Sequence, residues 1–139
     1  MTIKVKGPYA DARSLMQANG AGNLSGHVPS EDTLAALAQN EQHALGKIPA
    51  YSYVYGLMYA HAALGALTGL QFGYENEAGD SSDPDALAIV ADTSSAGSGV
   101  AAFMPFRTTE DLYVIAKQTG TGSASGKVSA IPLYVYEGT

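Results

Sequence analysis

The sequence lacks cysteine and tryptophan entirely, and only 14 % of its 139 residues are charged. Without cysteine there is no disulfide framework, no thiolate metal site and no cysteine nucleophile, which fits a reducing compartment. No apolar run approaches the roughly 20 residues of a membrane-spanning helix, and the start of the chain, Met1 to Lys6, does not resemble a signal peptide. We therefore expect one soluble domain made in the cytoplasm, with no membrane partner.

Basic residues are also scarce, because 7 Lys and Arg stand against 13 Asp and Glu and give a net charge of −6. Affinity for nucleic acid depends on clustered Lys and Arg that displace counterions, so this composition argues against a nucleic-acid partner. Three of the basic residues, Lys4, Lys6 and Arg13, lie near the N-terminus. They form either a short basic arm that meets an acidic partner or a solvated tail.

The charged fraction of 14 % is well below the roughly 25 % of ordinary soluble domains. Glycine, alanine, serine, threonine and tyrosine take the place of the missing charges. A neutral surface that carries tyrosine is typical of a protein covered by another protein. The composition favours a component of an assembly over a free monomer.

Alternating apolar and polar residues predict strands along most of the chain. Leu112–Ala116 and Val128–Tyr136 are expected to form a C-terminal hairpin, and Leu70–Tyr74 has the clearest period of two. Val100–Phe106 is a further strand, whose Pro105 belongs at an edge or a bulge because proline lacks a donor for the sheet. We predict an all-β fold.

More specifically, we expect an antiparallel, jelly-roll-like β-sandwich over residues 30–139, with one or two short helices. Residues 1–29 contain a short alternating strand, Ile3–Lys6, and several turn dipeptides with little apolar content. They are expected to form an extended N-terminal arm.

The helices are predicted from capping patterns. Between Ser30 and Pro49, one alternative is a helix capped by Ser30, and the other is a short turn of helix near Glu31–Leu37 followed by a strand over about 41–48. Asp83-Pro84-Asp85 has the pattern of a helix start and predicts a helix from Pro84 to about Ala91. Residues 60–70 also fit a helical period.

The same acidic stretch, residues 75–85, holds five carboxylates and raises the alternative of a bound calcium ion. The spacing does not match the loop of an EF-hand. Helix capping and a solvated loop are therefore the preferred interpretation.

Four tyrosines lie at alternate positions of one stretch near the middle of the chain, where position 57 is leucine. Strand alternation places Tyr51, Tyr53, Tyr55, Leu57 and Tyr59 on one face, with Val54, Met58 and Ala60 on the other. These tyrosines either border the core with their hydroxyls in water or take part in a protein contact. The candidate interface consists of Lys4, Lys6, Tyr9, Arg13, Tyr51, Tyr53, Tyr55 and Tyr59.

Signatures of catalysis are missing from the sequence. His27, His43 and His61 are isolated, without metal-ligand spacing, and no serine nucleophile motif is present. The glycine-rich segment 119–126 ends in Gly-Lys, but its glycine spacing and the strand that follows do not fit a phosphate-binding loop. We expect no enzyme, no cofactor and no metal; a metal-dependent hydrolase built from scattered His and Asp is the weaker alternative.

The order of several short segments resembles that of small structural proteins of tailed bacteriophages, including the capsid decoration, or cement, proteins. The segments that carry the resemblance are 38–41, 45–50, 70–74, 83–87 and 112–136. In that group the Ile-Pro-Ala step joins a strand to a long partner strand, which favours a strand before Pro49.

The resemblance implies a β-sandwich that binds the outer surface of a phage capsid and stabilises the shell. Its partner would be the major capsid protein, its oligomeric state a trimer, and its location the virion after synthesis in the host cytoplasm. The alternative is a tail or head-fibre component that binds a host receptor or glycan through Tyr51, Tyr53, Tyr55 and Tyr59.

Overall fold

The structure is a computed structural model that describes residues 3–6, 24–25 and 31–138. Within these ranges every regular element is a strand and no helix occurs. The ten strands are β1 (Ile3–Lys6), β2 (Leu24–Ser25), β3 (Glu31–Leu37), β4 (Gln42–Ile48), β5 (Ser52–His61), β6 (Leu70–Asn76), β7 (Ser82–Val90), β8 (Gly97–Arg107), β9 (Leu112–Gln118) and β10 (Ala124–Tyr136).

Strands β3 to β10 form two antiparallel sheets of four strands each, β3-β10-β5-β8 and β4-β9-β6-β7. In sequence terms β3 pairs with β10, β4 with β9, β5 with β8 and β6 with β7. This nested pairing, folded over into two layers, is the jelly-roll arrangement. The predicted all-β sandwich is therefore confirmed.

The first two strands extend the two sheets. β1 pairs in parallel with β4, and β2 pairs with the same edge of β10 that β3 occupies further along. Both fall within residues 1–29, and the proposed boundary between arm and sandwich stays a prediction.

The core lies between the two sheets, because alternate side chains of each strand point into the same layer. One contact across this layer is the stack of Tyr59 on Phe72, whose ring centroids are 5.4 Å apart. The large apolar side chains that are almost fully buried in the layer are Leu34, Leu45, Ile48, Val54, Leu57, Leu64, Leu70, Phe72, Val114, Val128 and Tyr134.

The predicted helices were wrong. Glu31–Leu37 is strand β3, which pairs with β10 and directs Leu34 and Leu37 into the core. The capping pattern around Pro84 belongs to strand β7. In the segment 60–70, β5 runs to His61 and an irregular loop follows. Capping rules describe only local backbone preferences, and pairing with distant strands overrides them here.

Pro84 fits into β7 because the strand bulges at this point. Phe72 pairs with Ala88, and Tyr74 pairs with Asp83. On β6 only Gly73 therefore lies opposite residues 84–87 of β7. A Cβ atom on Gly73 would lie 2.0 Å from the carbonyl oxygen of Asp83. The bulge therefore depends on a glycine, and it lies on an edge strand, where the missing donor of proline is tolerated.

The predicted C-terminal hairpin was also wrong, although both of its strands exist. β9 lies between β4 and β6 in one sheet, and β10 lies in the other sheet beside β5. The glycine-rich segment 119–126 crosses from one sheet to the other. Cβ atoms on Gly120 and Gly122 would lie 2.0 and 2.1 Å from the carbonyl oxygens of Leu67 and Ala66. These glycines allow the crossing loop to pack on the backbone of the loop between β5 and β6.

Candidate functional site

Charge is distributed unevenly over the two sheets. None of the 13 Asp and Glu residues lies on β5, β8 or β10, although the chain carries a net charge of −6. These three strands are neighbours in the order β10-β5-β8. They form an area without carboxylates on an otherwise acidic protein.

The outer surface of these strands, which points away from the core, is largely apolar. We call it the acid-free face. Among its exposed side chains, Val100 is 69 % accessible, Met58 46 % and Met104 86 %. The face consists of Tyr53, Tyr55, Met58, Val100, Ala102, Met104, Ile131, Leu133 and Val135.

Strand register arranges these side chains in rows across the sheet. Ile131 pairs with Met58, and Met58 pairs with Val100, which makes one apolar row. In the next row Leu133 covers Gly56, since its Cδ1 atom lies 3.1 Å from the place of a Cβ on that glycine. A groove of about 270 Å³ runs beside the first row and is lined in part by all three of its side chains.

Ion pairs flank the acid-free face at both ends of β10. The Arg107 Nε atom donates to Glu137 over 2.8 Å, and the guanidinium group lies 5.0 Å from the centroid of the Tyr53 ring. This hydrogen bond to Glu137 raises the pKa of Arg107. At the other end Lys127 Nζ is 3.5 Å from a carboxylate oxygen of Glu31. An apolar centre with a polar rim is the usual anatomy of a protein–protein interface.

The predicted tyrosine face is only partly correct. Tyr53 and Tyr55 lie on the acid-free face, and Tyr51 precedes β5 with a φ of +63° and is 45 % exposed. Tyr59 points inward, because a bulge at Tyr55 reverses the alternation and sends Met58 outward instead. The interface role of the tyrosines stays a prediction.

The N-terminal members of the predicted interface can be placed only in part. Lys4 and Lys6 belong to β1, beside β4. Tyr9 and Arg13 lie outside the described residues. Their role in binding also stays a prediction.

Sequence reasoning missed the apolar members of the face, above all Met58, Val100 and Ile131. Apolar residues on a strand are normally assigned to the core, and periodicity alone does not say which face of a sheet points inward. The signal that would have identified them is the absence of carboxylates from three long strands of an acidic chain.

The acidic segment 75–85 is organised by hydrogen bonds within the protein. Asn76 Nδ2 donates to Asp80 and, over 3.0 Å, to Glu110, and Tyr113 donates its hydroxyl to Glu77. Desolvation raises the pKa of Asp83, and the neighbouring carboxyl of Asp85 adds to the effect. In the part of the chain that the structure describes, no three His, Asp or Glu side chains are placed to hold a metal ion.

Two histidines have structural partners. His43 Nε2 lies 2.6 Å from an oxygen of Asp32, and this contact joins β4 of one sheet to β3 of the other. His61 Nδ1 lies 2.9 Å from the carbonyl oxygen of Ala62. His27 is outside the described residues.

The described residues also contain no helix long and apolar enough to cross a membrane.

A cavity of about 480 Å³ lies among the loops at one end of the sandwich. Its carboxylate is Asp92, whose pKa is lowered by hydrogen bonds from the side chain of Ser94 and from the Ser94 backbone N–H, the latter over 2.9 Å. The other lining groups are small side chains, Leu67 and backbone atoms. The acid-free face is the better candidate, because it combines apolar exposure with neutrality.

Comparison with solved structures shows two chains of similar fold. One, from the capsid of Ralstonia phage GP4, superposes with a TM-score of 0.67 and 14 % identity, over 97 % of this chain and 99 % of that one. Another, from the capsid asymmetric unit of cyanophage Pam1, gives a TM-score of 0.60 and 17 % identity, over 90 % and 94 % of the two chains. The chain shares the fold of phage capsid chains. The resemblance to small phage structural proteins is thus confirmed in the fold.

Sequence comparison finds no such relative. No protein family model matches the chain. No curated protein matches it significantly either.

Proposed function

We propose that this protein is a structural component of a phage virion that binds the outer surface of the capsid and stabilises the shell. The observation that carries the proposal is the similarity in fold to two phage capsid chains over nearly their whole length. Those chains are about as long as this one, since each alignment covers at least 90 % of both partners. A fold of this size suits an accessory role on a shell.

The acid-free face supports the proposal, because its apolar rows and ionic rim suit a surface covered by another protein. We assign it to contact with the major capsid protein, as a decoration protein would make. Binding only to the assembled shell stabilises that shell by mass action. This role needs no catalytic group and no cofactor, and it places the protein in the virion after synthesis in the host cytoplasm.

The N-terminal residues form a second proposed contact. Lys4, Lys6 and Arg13 supply positive charge, and Tyr9 supplies an amphipathic ring, ahead of an otherwise acidic domain. The resemblance to decoration proteins further implies a trimer on the shell. The binding experiment below can be repeated with a triple charge reversal of the three basic residues, which should weaken attachment.

Co-sedimentation with shells that lack this protein tests the proposal. Such shells are assembled from the major capsid protein of the same phage, and occupancy is measured as the purified chain is titrated. Met58→Glu places a carboxylate in the centre of the acid-free face and should weaken binding at least about tenfold, as expected for loss of a buried hot spot. Ile89→Glu is the matched control, because Ile89 is 62 % exposed on β7 of the other sheet.

Two results would count against the proposal. If the wild-type chain does not sediment with shells, capsid binding is wrong. If antibody labelling of intact particles marks the tail or the fibres instead of the shell, the alternative role in receptor or glycan binding replaces it.

A further inference from the structure

β7 and β8 are edge strands, one in each sheet, and they differ in how their free edges are protected. Edge strands carry unpaired N–H and C=O groups, and proteins usually block them with charges or proline. β7 follows this rule, since Asp83, Pro84 and Asp85 lie along it. β8 has no charged residue from Gly97 to Phe106.

The part of β8 before its bulge is the unprotected portion. Its one proline, Pro105, lies where the register with β5 is interrupted, between the pairs of Ala102 and Phe106. Residues 97–102 pair regularly with β5, and among the described strands β8 pairs with β5 alone. No described strand pairs with the other edge of this segment, so that edge can accept a further strand.

We propose that β8 pairs with β8 of a second copy of this chain, antiparallel and about a twofold axis near Val100. The two sheets then join into one continuous sheet, in which the five strands β2, β3, β10, β5 and β8 of each copy give ten in all. Such an interface is isologous, because the same segment serves both partners. The inference goes beyond capsid binding, since it concerns two copies free in solution.

Charge favours a second copy as the occupant of this edge. Two copies each carry a net charge of −6, so they repel each other except where carboxylates are absent. The edge of β8 meets this condition, and it continues into the acid-free strands β5 and β10. Self-pairing of a neutral segment brings no like charges together.

The side chains on the outer surface suit this pairing as well. With the axis near Val100, that residue faces Val100 of the second copy. The apolar row of Ile131, Met58 and Val100 then continues directly into the same row of the other copy. Val100, 69 % exposed in the single chain, becomes covered from both sides.

A charge-complementation experiment tests the pairing on the purified full chain, with no capsid present. Sedimentation velocity is measured over a wide concentration range for the wild type, for Val100→Lys, for Val100→Glu and for an equimolar mixture of the two variants. We expect a concentration-dependent dimer for the wild type, monomers for each variant alone and a restored dimer for the mixture. The mixture restores it because opposite charges now meet at the axis.

Ile89→Lys provides the matched control, because it places the same charge on an exposed position of β7. This variant should dimerise as the wild type does. Circular dichroism spectra of all variants should match the wild type, since the substituted side chains are mostly in solvent. Thermal unfolding is compared at a concentration where the wild type is monomeric, because a dimer would itself raise the melting temperature.

Three results would overturn the inference. They are a wild type that stays monomeric at every concentration, an oligomer whose mass the Val100 variants do not change, and a mixture that remains monomeric. If the wild type is monomeric and Val100→Lys instead weakens binding to shells, the edge belongs to the capsid protein. Capsid binding itself is measured separately, so each proposal can fail without the other.

Discussion

Tyr59 stacks on Phe72 between the two sheets, with their rings inclined by 28°. Tyr53, six positions earlier on the same strand, lies on the opposite surface against the guanidinium group of Arg107. One strand thus supplies a tyrosine to the core and another to the candidate interface. Stability and binding should therefore respond to different tyrosines.

Tyr59→Ala should lower the free energy of unfolding by about 2–4 kcal/mol, because it leaves a cavity against Phe72. Tyr53→Ala should change it by no more than about 1 kcal/mol, since that ring lies on the surface. Urea unfolding of both variants measures the difference. Equal losses would show that Tyr53 supports the core as much as Tyr59 does.

The strands and the layered architecture follow from the sequence. Short segments with alternating apolar residues can bury those residues by forming strands whose apolar faces pack together in two layers. The direction of each side chain, toward the core or toward solvent, does not follow from the sequence, because a single bulged residue reverses the alternation along a strand. On β5 this residue is Tyr55. On β8 the alternation is reversed by the irregularity before Phe106, so that Phe103 and Phe106 both pack on the core. Bulges leave no clear mark in composition.

The assignment of β9 and β10 to different sheets likewise could not be predicted from local sequence patterns. β9 and β10 are consecutive, and proximity in sequence favours a hairpin. Each instead lies in the middle of a different sheet, because its two edges are taken by strands far away in the chain. The candidate face was missed for a related reason, since its apolar residues were expected to point toward a core.

Gly73→Ala should destabilise the protein by at least about 2 kcal/mol, because its Cβ would collide with backbone atoms of Asp83 and Pro84. Gly97→Ala is a milder comparison, since the nearest atom is the side-chain Nε2 of His61 at 3.1 Å. Thermal unfolding of the two variants tests this. If Gly73→Ala is as stable as the wild type, the bulge of β7 adapts more easily than its geometry suggests.

Asp83→Asn should raise the melting temperature at pH 7. The pKa of Asp83 is raised above its ordinary value of 3.8, so the ionised carboxylate disfavours the folded state. The advantage of the variant should shrink as the pH falls through this raised pKa and vanish below the ordinary value, where Asp83 is protonated in both states. Thermal scans between neutral and acidic pH measure the effect.

Asp92→Asn should do the opposite. The hydrogen bonds from Ser94 lower the pKa of Asp92, so its carboxylate favours the folded state at neutral pH. The variant should melt below the wild type at pH 7, and the difference should close as the pH falls through the lowered pKa. Two variants that shift in the same direction at pH 7 would contradict the assignment of these sites.

Gln118→Ala should lower the free energy of unfolding by about 2–3 kcal/mol, because buried backbone groups lose their partners. The fully buried side chain accepts from the backbone of Gly120 and donates to the carbonyl oxygen of Gly122 over 2.6 Å. Gln39→Ala is the control, since its exposed amide makes one weaker bond of 3.3 Å to Thr119. Similar stability of both variants would show that the crossing loop holds without this anchor.

The nested order of the strands also governs how the chain reaches its fold. β3 and β5 gain a common neighbour only when β10 arrives, more than sixty residues after β5 ends. A nascent chain that lacks β10 therefore exposes the neutral edges of β5 and β8 to the crowded interior of the cell, and pairings of such high contact order form slowly. Rapid synthesis should favour aggregation at this stage, and chaperones that cover these edges should raise the yield of folded protein.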